Sequence, residues 1–415
     1  MSCRVFITGV GVVSSLGLGR RAFWEGIAAG RSGYSPIASF DAAPLGRTLA
    51  AQVRDFVPAD HLTAREQRHV GRCGAMSLAA ARMAVTDAGL GADALATQRA
   101  AVVLGTTMGE ADQLAVLDTA WIRQGPDAVA PKAVPRYAPS LGAMHVARAF
   151  KTRGLVLTLP AACAAGNYAL GYASDLLRAG RADVVLAGAA EMLEALQFAG
   201  FVRLGAVAPE RCQPFDLNRQ GLIVGEGAGV FVLETEAHAV RRGATVLAEL
   251  GGYGIACDAY HVTRPRPDGA GNARAMREAI WRSGLTVDDV DFFNAHGTGT
   301  RTNDAVEATV VREVFGPRRL PLTSVKSMIG HCMGASSALE AVTCIETLRT
   351  GVYPPTMGYE TPDPECDLDV VANTARRGKA DVVLNNALAF GGYDAVTCFA
   401  RPGVMPPPAE RRVMP

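Results

Sequence analysis

The stretch Pro160-Ala161-Ala162-Cys163-Ala164-Ala165-Gly166-Asn167 separates an apolar run at 155–159 from a helical pattern at 168–177. A cysteine in such a strand-to-helix turn lies where the N–H groups of a helix N-terminus can stabilise a thiolate. The small neighbouring side chains leave room for a substrate to reach the sulfur. A free cysteine is also among the most buried residue types, so this one, taken alone, would be interpreted as a core residue.

Two of the seven histidines favour a chemical role, because each follows an apolar strand-like run and stands in a glycine-rich turn. His296 lies in the segment 294–300, which reads NAHGTGT. His331 lies in the segment 326–335, KSMIGHCMGA, which opens a helical pattern that runs to about residue 348. Strand ends are where α/β proteins present catalytic groups, so both histidines are candidates for the same site as the cysteine.

The order of these motifs carries a resemblance. A cysteine in a small-residue turn, then HGTGT, then KSxxGHxxGA, then Phe390-Gly391-Gly392, resembles the β-ketoacyl-acyl-carrier-protein synthases and the ketosynthases of polyketide synthases. The likeness extends from about residue 4 to 402 and is greatest to the elongating, type II branch. Shorter matches lie at 214–216 (PFD), 225–229 (GEGAG) and 258–261 (DAYH).

The resemblance implies an α/β protein with the thiolase fold, in which two duplicated halves form a five-layer α-β-α-β-α core. The sequence supports a duplication, because ADVVL at 182–186 recurs at 380–384, each time after a reactive turn and a small-residue helix. We expect a first half at 1–250 with the nucleophile and a second at 251–402 with the histidines and the glycine-rich loop. The Pro- and Arg-rich residues 403–415 are expected to form a mobile tail.

Apolar runs alternating with longer helical patterns predict a largely buried sheet. The predicted strands are 5–8, 101–104, 155–159, 184–187, 230–233, 290–293, 322–325, 382–385 and 396–399. The predicted helices are 75–88, 168–179, 270–283, 305–314 and 336–348.

Composition excludes several classes of function. The net charge of +1 gives no global signal for nucleic acid, and no segment has the length and apolar character of a membrane span. The nine cysteines form no CxxC pair or regular framework, so we expect reduced thiols in a cytoplasmic protein. No metal-ligand spacing is present, so no metal is expected. The segment 9–14, GVGVVS, lacks the last glycine of a dinucleotide fingerprint, which argues against nicotinamide binding.

The resemblance implies the chemistry of the site. Cys163 would take an acyl group from a carrier-protein thioester and then condense it with a malonyl thioester that loses carbon dioxide. His296 and His331 would donate N–H groups to the enolate that forms. We expect the helix dipole and a nearby histidine to lower the pKa of Cys163. No cofactor is expected, because phosphopantetheine arrives on the acyl carrier protein.

Other family positions are expected to support this set. Lys326 would hold charge and orient the region of His296. Glu340 would anchor a buried polar network, the alternative being an ordinary exposed helix residue. Four further residues are expected to support the HGTGT loop, and they are Thr298, Thr300, Asp304 and Glu307.

The segment Phe390-Gly391-Gly392 lies between two late predicted strands, and its glycines permit positive φ and loop motion. The resemblance implies that this loop gives an oxyanion-hole N–H beside that of Cys163 and that the phenyl ring gates the malonyl side. Tyr393-Asp394 replaces the usual Thr-Asn of the family, and Ala389 replaces the usual glycine. These departures predict altered gating or substrate preference and favour a specialised pathway.

Basic residues predict a docking surface for the acidic carrier protein. A solvent-exposed helix face without a partner would have the same basic composition. The candidates are Arg65, Arg68, Arg72, Lys132 and Arg203. A homodimer is expected, because the apolar strand before Cys163 suits a sheet continued across a two-fold axis, and a heterodimer with a ketosynthase-like partner stays open.

Two alternative functions remain beside the leading one. A thiolase-like enzyme that uses coenzyme A would carry a second cysteine in a Cys-x-Gly-Gly pattern, where this chain has Ala389-Phe390-Gly391-Gly392. A non-catalytic chain-length-factor-like subunit would lack the nucleophile that Cys163 supplies. Chain length, saturation and the choice between fatty acid and polyene or polyketide elongation stay open.

Overall fold

The computed structural model describes residues 3–91, 93–97 and 99–407, leaving aside the side chains of residues 134 and 135. Residues 408–415 of the predicted tail therefore lie outside the described residues. Within that tail Met405 differs from the prediction, because its side chain is buried in the core of the second half. Its carbonyl oxygen accepts a hydrogen bond from Arg4 at 3.0 Å.

The described residues form these strands in chain order: β1 Val5–Ser14, β2 Gly17–Leu18, β3 Ser35–Pro36, β4 Leu49–Ala50, β5 Ala100–Gly105, β6 Val156–Leu159, β7 Val184–Glu191, β8 Gly227–Thr235, β9 Ala248–Cys257, β10 Phe292–Asn294, β11 Pro321–Thr323, β12 Val352–Tyr353, β13 Asp369–Val370, β14 Arg376–Arg377, β15 Val382–Ala389 and β16 Tyr393–Ala400.

The described helices are α1 Arg20–Ala28, α2 Ala64–Gln67, α3 Arg72–Asp87, α4 Ala111–Gln124, α5 Leu141–Ala149, α6 Ala165–Arg178, α7 Ala195–Arg203, α8 Glu236–Arg241, α9 Ala270–Arg282, α10 Arg301–Phe315, α11 Lys326–Ile329 and α12 Ser336–Thr350.

The strand order confirms the duplication. In the first half the order is β6-β5-β7-β8-β1, and in the second it is β11-β10-β15-β16-β9. The first three strands of each series are parallel and the last two are antiparallel to their neighbours. The repeated ADVVL segments lead into β7 and β15, which occupy equivalent places. The second half opens with β9, so the boundary expected near residue 251 falls inside that strand.

Helices separate and cover the two groups of strands in five layers. Helices α6 and α12 pack against each other in the centre and contact strands of both halves. Helices α3 and α5 cover the first half, and α9 and α10 cover the second. The α-β-α-β-α thiolase fold predicted from the sequence is therefore confirmed.

Paired glycines let the first strand of each half approach its outer helix closely. A Cβ atom built on Gly9 or Gly11 would overlap the backbone of α3 at Ala84 or Ala80. In the second half Gly252 and Gly254 stand in the same relation to α9. The glycines of the GVGVVS segment therefore serve helix–strand packing, which explains why the segment resembles a dinucleotide fingerprint only in part.

Equivalent turns precede the two central helices. Each is a 3₁₀ turn whose first residue, Ala162 or Met333, has a φ of 46°, which non-glycine residues rarely adopt. The second residue is Cys163 in one turn and Gly334 in the other. A Cβ atom at Gly334 would lie 2.7 Å from the backbone nitrogen of Thr107.

The structure differs from the sequence predictions at several elements. Helices α1, α4, α5 and α7 are absent from the predicted set. The helical pattern predicted from residue 326 to about 348 is interrupted, because α11 ends at Gly330, whose φ is 67°, and α12 begins at Ser336. Strand β10 begins two residues later than predicted. Strand β9 was not predicted, since its sequence AELGGYGIAC carries the glycines that contact α9 and resembles a loop.

The glycine contacts generate a stability prediction. Gly11→Ala should lower the free energy of unfolding by about 1–3 kcal/mol, because the added methyl group overlaps the backbone of α3. Urea denaturation followed by circular dichroism measures the shift. The matched control is Gly200→Ala on α7, where a Cβ atom would meet nothing within 4 Å. Equal midpoints for the two variants would contradict the packing role.

Candidate active site

A cavity of about 570 Å³ brings the three predicted chemical residues together. Cys163, His296 and His331 all line it, and the loop residue Phe390 lines it as well. They come from the turn before α6, the end of β10, the turn between α11 and α12, and the connection from β15 to β16. The two halves of the fold therefore share one site.

The Cys163 thiol is buried, and burial raises its pKa to about 12. The charge of Lys326 and hydrogen bonds from the backbone N–H groups of Phe390 and Cys163 lower the pKa only in part. This differs from the expected thiolate, because desolvation outweighs the positive charge and the helix terminus. The same two N–H groups lie near the Cys163 side chain, where they could stabilise an oxyanion on a bound thioester.

His296 is a neutral imidazole with a defined tautomer. Burial above all, and then the charge of Lys326, hold its pKa well below the usual range. The Nζ atom of Lys326 lies 3.3 Å from the Nδ1 atom of His296 and 2.6 Å from its carbonyl oxygen. Because an ammonium group can only donate, Nδ1 accepts and the ring proton is on Nε2.

His331 reaches the same state by a different route. Its pKa is also held well below the usual range, mainly by burial. The backbone N–H of Met333 donates to its Nδ1 atom at 3.1 Å, and Ser336 Oγ lies 3.0 Å from the same atom. The proton of this ring is therefore also on Nε2. The two rings stand edge to face with centroids 5.5 Å apart, so two N–H donors serve one cavity.

Lys326 and Glu340 form a buried ion pair behind the histidines. Both side chains have no exposed surface, so Glu340 belongs to a buried network and not to an exposed helix face. The three N–H donors of Lys326 meet Glu340 and two atoms of His296, which satisfies the ammonium group.

Two buried acids support the loop that carries His296. Glu307 accepts hydrogen bonds from the backbone N–H groups of His296 at 2.7 Å and Gly297 at 2.8 Å. Asp304 accepts a hydrogen bond from the backbone N–H of Phe215 at 2.8 Å and another from the backbone of Gly299, which lies in the loop itself. The hydroxyl groups of Thr298 and Thr300 lie 2.8 Å apart on the wall of the cavity.

The glycine-rich loop forms one side of the cavity. Gly391 and Gly392 have φ values of 85° and 75°, which only glycine adopts readily. The Phe390 ring stacks on Phe201 of α7 with centroids 5.6 Å apart. The N–H of Gly391 donates to the carbonyl oxygen of Val262 at 2.7 Å. Ring contacts and backbone hydrogen bonds therefore hold the loop in this position.

The predicted docking residues divide into two groups. Four of them are exposed, namely Arg65, Arg68, Lys132 and Arg203. Arg72 differs, because its guanidinium donates to both carboxylate oxygens of buried Glu226, at 2.6 and 2.9 Å. That ion pair leaves Arg72 unsuited to a docking surface, and we correct the prediction accordingly.

Several contributors to the site were not predicted. The backbone N–H of Met333 and the hydroxyl of Ser336 contact His331, and the ring of Phe201 contacts Phe390. No sequence motif indicates these three contacts. A buried network also ties α6 to the second half, since Asn167 and Asn385 bond each other at 2.9 Å. Asn167 stands in the opening stretch of sequence, where its place at a helix start could have drawn attention to it.

A duplicated α/β core with a buried Cys-His-His set is typical of the thiolase-fold condensing enzymes. The family model of the β-ketoacyl synthase N-terminal domain matches residues 2–239, and that of the C-terminal domain matches residues 247–360. The chain belongs to the β-ketoacyl synthase family.

Curated relatives cover almost the whole chain. Nodulation protein E of Rhizobium sp. (strain N33) is 37% identical over 402 residues, which are 96% of this chain and 99% of that protein. The tetracenomycin polyketide synthase ketoacyl synthase alpha subunit of Streptomyces glaucescens is 37% identical over 416 residues, 96% and 97% of the two chains. The 3-oxoacyl-[acyl-carrier-protein] synthase 2 of Coxiella burnetii is 35% identical over 407 residues, 96% and 98%.

Solved structures agree with this assignment. The ishigamide ketosynthase/chain length factor matches with a TM-score of 0.93 and 41% identity, covering 97% of this chain and 100% of that one. A type II polyketide acyl-carrier protein in complex with its ketosynthase bound to the hexaketide matches with a TM-score of 0.88 and 31% identity, covering 97% and 100%. Among the residues described for this chain, no helix is long and apolar enough to cross a membrane.

The pKa of Cys163 generates a pH prediction. Because burial raises this pKa to about 12, the thiolate fraction should increase about tenfold per pH unit between pH 7 and pH 10. The alkylation rate of Cys163 by iodoacetamide, followed by peptide mass spectrometry, should rise accordingly without a plateau. Exposed Cys257 in the same digest serves as the internal reference for reagent activity. A plateau below pH 9 would show that the thiolate is stabilised.

Proposed function

We propose that this protein is a β-ketoacyl-[acyl-carrier-protein] synthase that elongates an acyl chain by decarboxylative condensation with a malonyl thioester. One observation carries the proposal: both histidines use Nδ1 as an acceptor and so present Nε2–H donors to the cavity that contains Cys163. Two neutral donors suit an enolate oxygen, which is the charge that decarboxylation creates.

The first half-reaction transfers the acyl group. The Cys163 sulfur attacks the thioester carbonyl, the backbone N–H groups of Cys163 and Phe390 stabilise the oxyanion, and the bond to the carrier sulfur breaks. The thiol proton of Cys163 leaves with the carrier sulfur, so the protein needs no net gain or loss of charge. A neutral resting thiol is compatible with this balance.

The second half-reaction forms the carbon–carbon bond. The bond to the malonyl carboxylate breaks, carbon dioxide leaves, and the electron pair forms an enolate whose oxygen accepts from His296 and His331. The enolate carbon then attacks the acyl-Cys163 carbonyl, the carbon–sulfur bond breaks, and the thiolate takes up one proton. The products are a β-ketoacyl carrier protein, carbon dioxide and free Cys163.

The acyl carrier protein is the proposed partner, and its phosphopantetheine arm would bring the thioester, so we expect no cofactor of the enzyme itself. A related ketosynthase is known in complex with an acyl-carrier protein, and another relative is named for acyl-carrier-protein substrates. The exposed basic residues Arg65, Arg68, Lys132 and Arg203 support this docking. A cytoplasmic location stays a prediction from the sequence.

We also propose a dimer formed along β6. This strand ends the series of the first half, so one of its edges has no neighbour among the described strands. Helix α4 exposes several apolar side chains, and they are Leu114, Val116, Trp121 and Ile122. An unpaired strand edge and an exposed apolar helix face each favour association with a second chain. The structure of the ishigamide ketosynthase/chain length factor makes an unlike partner the alternative to a homodimer.

The alternatives to a ketosynthase find no support in the site. Ala389 occupies the place at which a thiolase would carry its second cysteine. A chain-length-factor-like subunit would have no use for a nucleophile, whereas Cys163 lies in the cavity with both histidines.

The proposal predicts that the two half-reactions separate by mutation. His331→Ala should reduce carbon dioxide release from malonyl carrier protein by about 10²–10³-fold, because one donor to the enolate is lost. Acylation of Cys163 should continue, whereas Cys163→Ala should abolish it. Radiolabelled carbon dioxide capture and intact-protein mass spectrometry measure the two steps.

His61→Ala is the matched control, because this histidine is absent from the lining of the active-site cavity and should leave both half-reactions unchanged. Wild-type carbon dioxide release by His331→Ala would overturn its role. Acylation at another cysteine, with condensation retained by Cys163→Ala, would overturn the proposed function.

The dimer proposal predicts a particle of twice the 43.4 kDa chain mass in light scattering at micromolar concentration. Val156→Lys should shift it towards monomer, because Val156 is exposed on β6 and a charge there opposes edge-to-edge pairing. A Val240→Lys variant at an exposed site on α8 is the control. A monomeric wild-type protein that no ketosynthase-like partner brings into a dimer would contradict the proposal.

A further inference from the structure

Two loops meet at the mouth of the active-site cavity. The gate loop comprises residues 390–394, and the facing loop comprises residues 258–266. The N–H of Gly391 donates to the carbonyl oxygen of Val262 at 2.7 Å, and the N–H of Asp258 donates to the carbonyl oxygen of Gly392 at 2.9 Å. Each loop donates one hydrogen bond to the other, so separation of the loops breaks both bonds.

Two carboxyl groups lie between these loops. Asp394 belongs to the gate loop and Asp258 to the facing loop, and both are more than nine-tenths buried and line the cavity. Both also rest on Gly271 of α9, where an added Cβ atom would lie 2.5 Å from an oxygen of each aspartate. The absence of a side chain at Gly271 therefore makes room for the pair.

The hydrogen-bond partners of Asp258 and Asp394 indicate that the two carboxyl groups hold a proton between them. Asp258 Oδ2 accepts from the backbone N–H of Arg266 at 2.8 Å. Asp258 Oδ1 and Asp394 Oδ2 are buried and have no donor among the described residues. Two ionised carboxylates could only repel each other, and buried acceptors without donors are costly. A single proton turns one carboxyl group into the donor that the other lacks.

The surroundings favour retention of that proton. Burial first, and then the charge of Asp258, raise the pKa of Asp394 to about 8, while Arg274 of α9 opposes this shift. The guanidinium of Arg266 is bound to Asp268 at 2.8 Å. Three further titratable groups lie near the pair, namely Tyr168 of α6, Tyr393 of the gate loop and Cys257 of β9. Burial raises the pKa of Tyr168.

We propose that Asp258 and Asp394 share one proton and thereby latch the gate loop onto the facing loop, which positions Phe390 over Cys163. The inference rests on the proposed function, because the latch would time access to the cavity between the two half-reactions. Both aspartates are positioning residues, since they act on the loops and not on the reacting atoms. An asparagine at position 394 would donate its N–H at every pH, whereas an aspartate donates only when protonated.

The latch makes loop closure depend on pH in a definite direction. The closed state retains a proton that the open state, with an ordinary Asp394, releases. The ratio of closed to open molecules should therefore fall as pH rises, by up to about tenfold per pH unit, between the ordinary pKa of aspartate and about 8. Above that range both states are deprotonated, and the ratio should become constant.

Hydrogen exchange tests the latch without turnover. The amides of Gly391 and Asp258 are held by the bonds between the loops, so their protection factors report closure. In the wild-type protein these factors, corrected for intrinsic exchange, should fall up to about tenfold per unit between pH 6 and pH 8. In Asp394→Asn they should be independent of pH. Asp288→Asn, which removes an exposed carboxylate elsewhere, should behave as wild type.

Asp258→Asn removes the shared proton from the other side and should also abolish the pH dependence. Equal slopes for wild type, Asp394→Asn and Asp258→Asn would overturn the latch. The ratio of the condensation rate to the Cys163 acylation rate should depend on pH differently in wild type and in Asp394→Asn. Identical pH dependence of this ratio in the two proteins would exclude a role in gating. A protein that shows the exchange slope without condensation would retain the latch and refute the proposed function.

Discussion

The buried ammonium group of Lys326 is the constraint on which the site depends. A charge without exposed surface is tolerated only when it is paired and every donor is satisfied. Glu340 supplies the pairing, and His296 takes the other two donors through its carbonyl oxygen and Nδ1. The same bonds therefore neutralise the charge, fix the path of the HGTGT loop and choose the tautomer of His296. Replacing Lys326 would disturb stability and chemistry together.

The reacting groups themselves are kept uncharged. Burial favours a neutral thiol at Cys163 and neutral rings at both histidines. The charges of the site belong to the Lys326–Glu340 ion pair behind these groups. Where the reacting groups are buried, neutral N–H donors stabilise a transient oxyanion without first attracting a permanent counter-ion. The same principle extends to the cavity mouth, where a proton shared by two aspartates reduces charge between the loops.

Sequence reasoning predicted the fold and the central set because these depend on local patterns. Motif order located Cys163, His296, His331 and Lys326, and the ADVVL repeat located the duplication. It could not locate contacts made by backbone groups, such as the N–H of Met333 on His331. It also placed Arg72 on the surface, since its ion pair with Glu226 joins residues that are 154 positions apart. Strand β9 was not predicted, because its glycines have low strand propensity. They occur in this strand because they allow close packing against α9.

The unequal turns before α6 and α12 determine which half of the fold can carry the nucleophile. Both turns keep the same unusual backbone, yet only one has space for a side chain at its second position. A Cβ atom at Gly334 would lie 2.7–2.8 Å from the backbone of Thr106 and Thr107, directly after β5, so a cysteine side chain does not fit at this position. The two halves therefore share the backbone shape of this turn, but only the turn of the first half has room for a nucleophilic side chain.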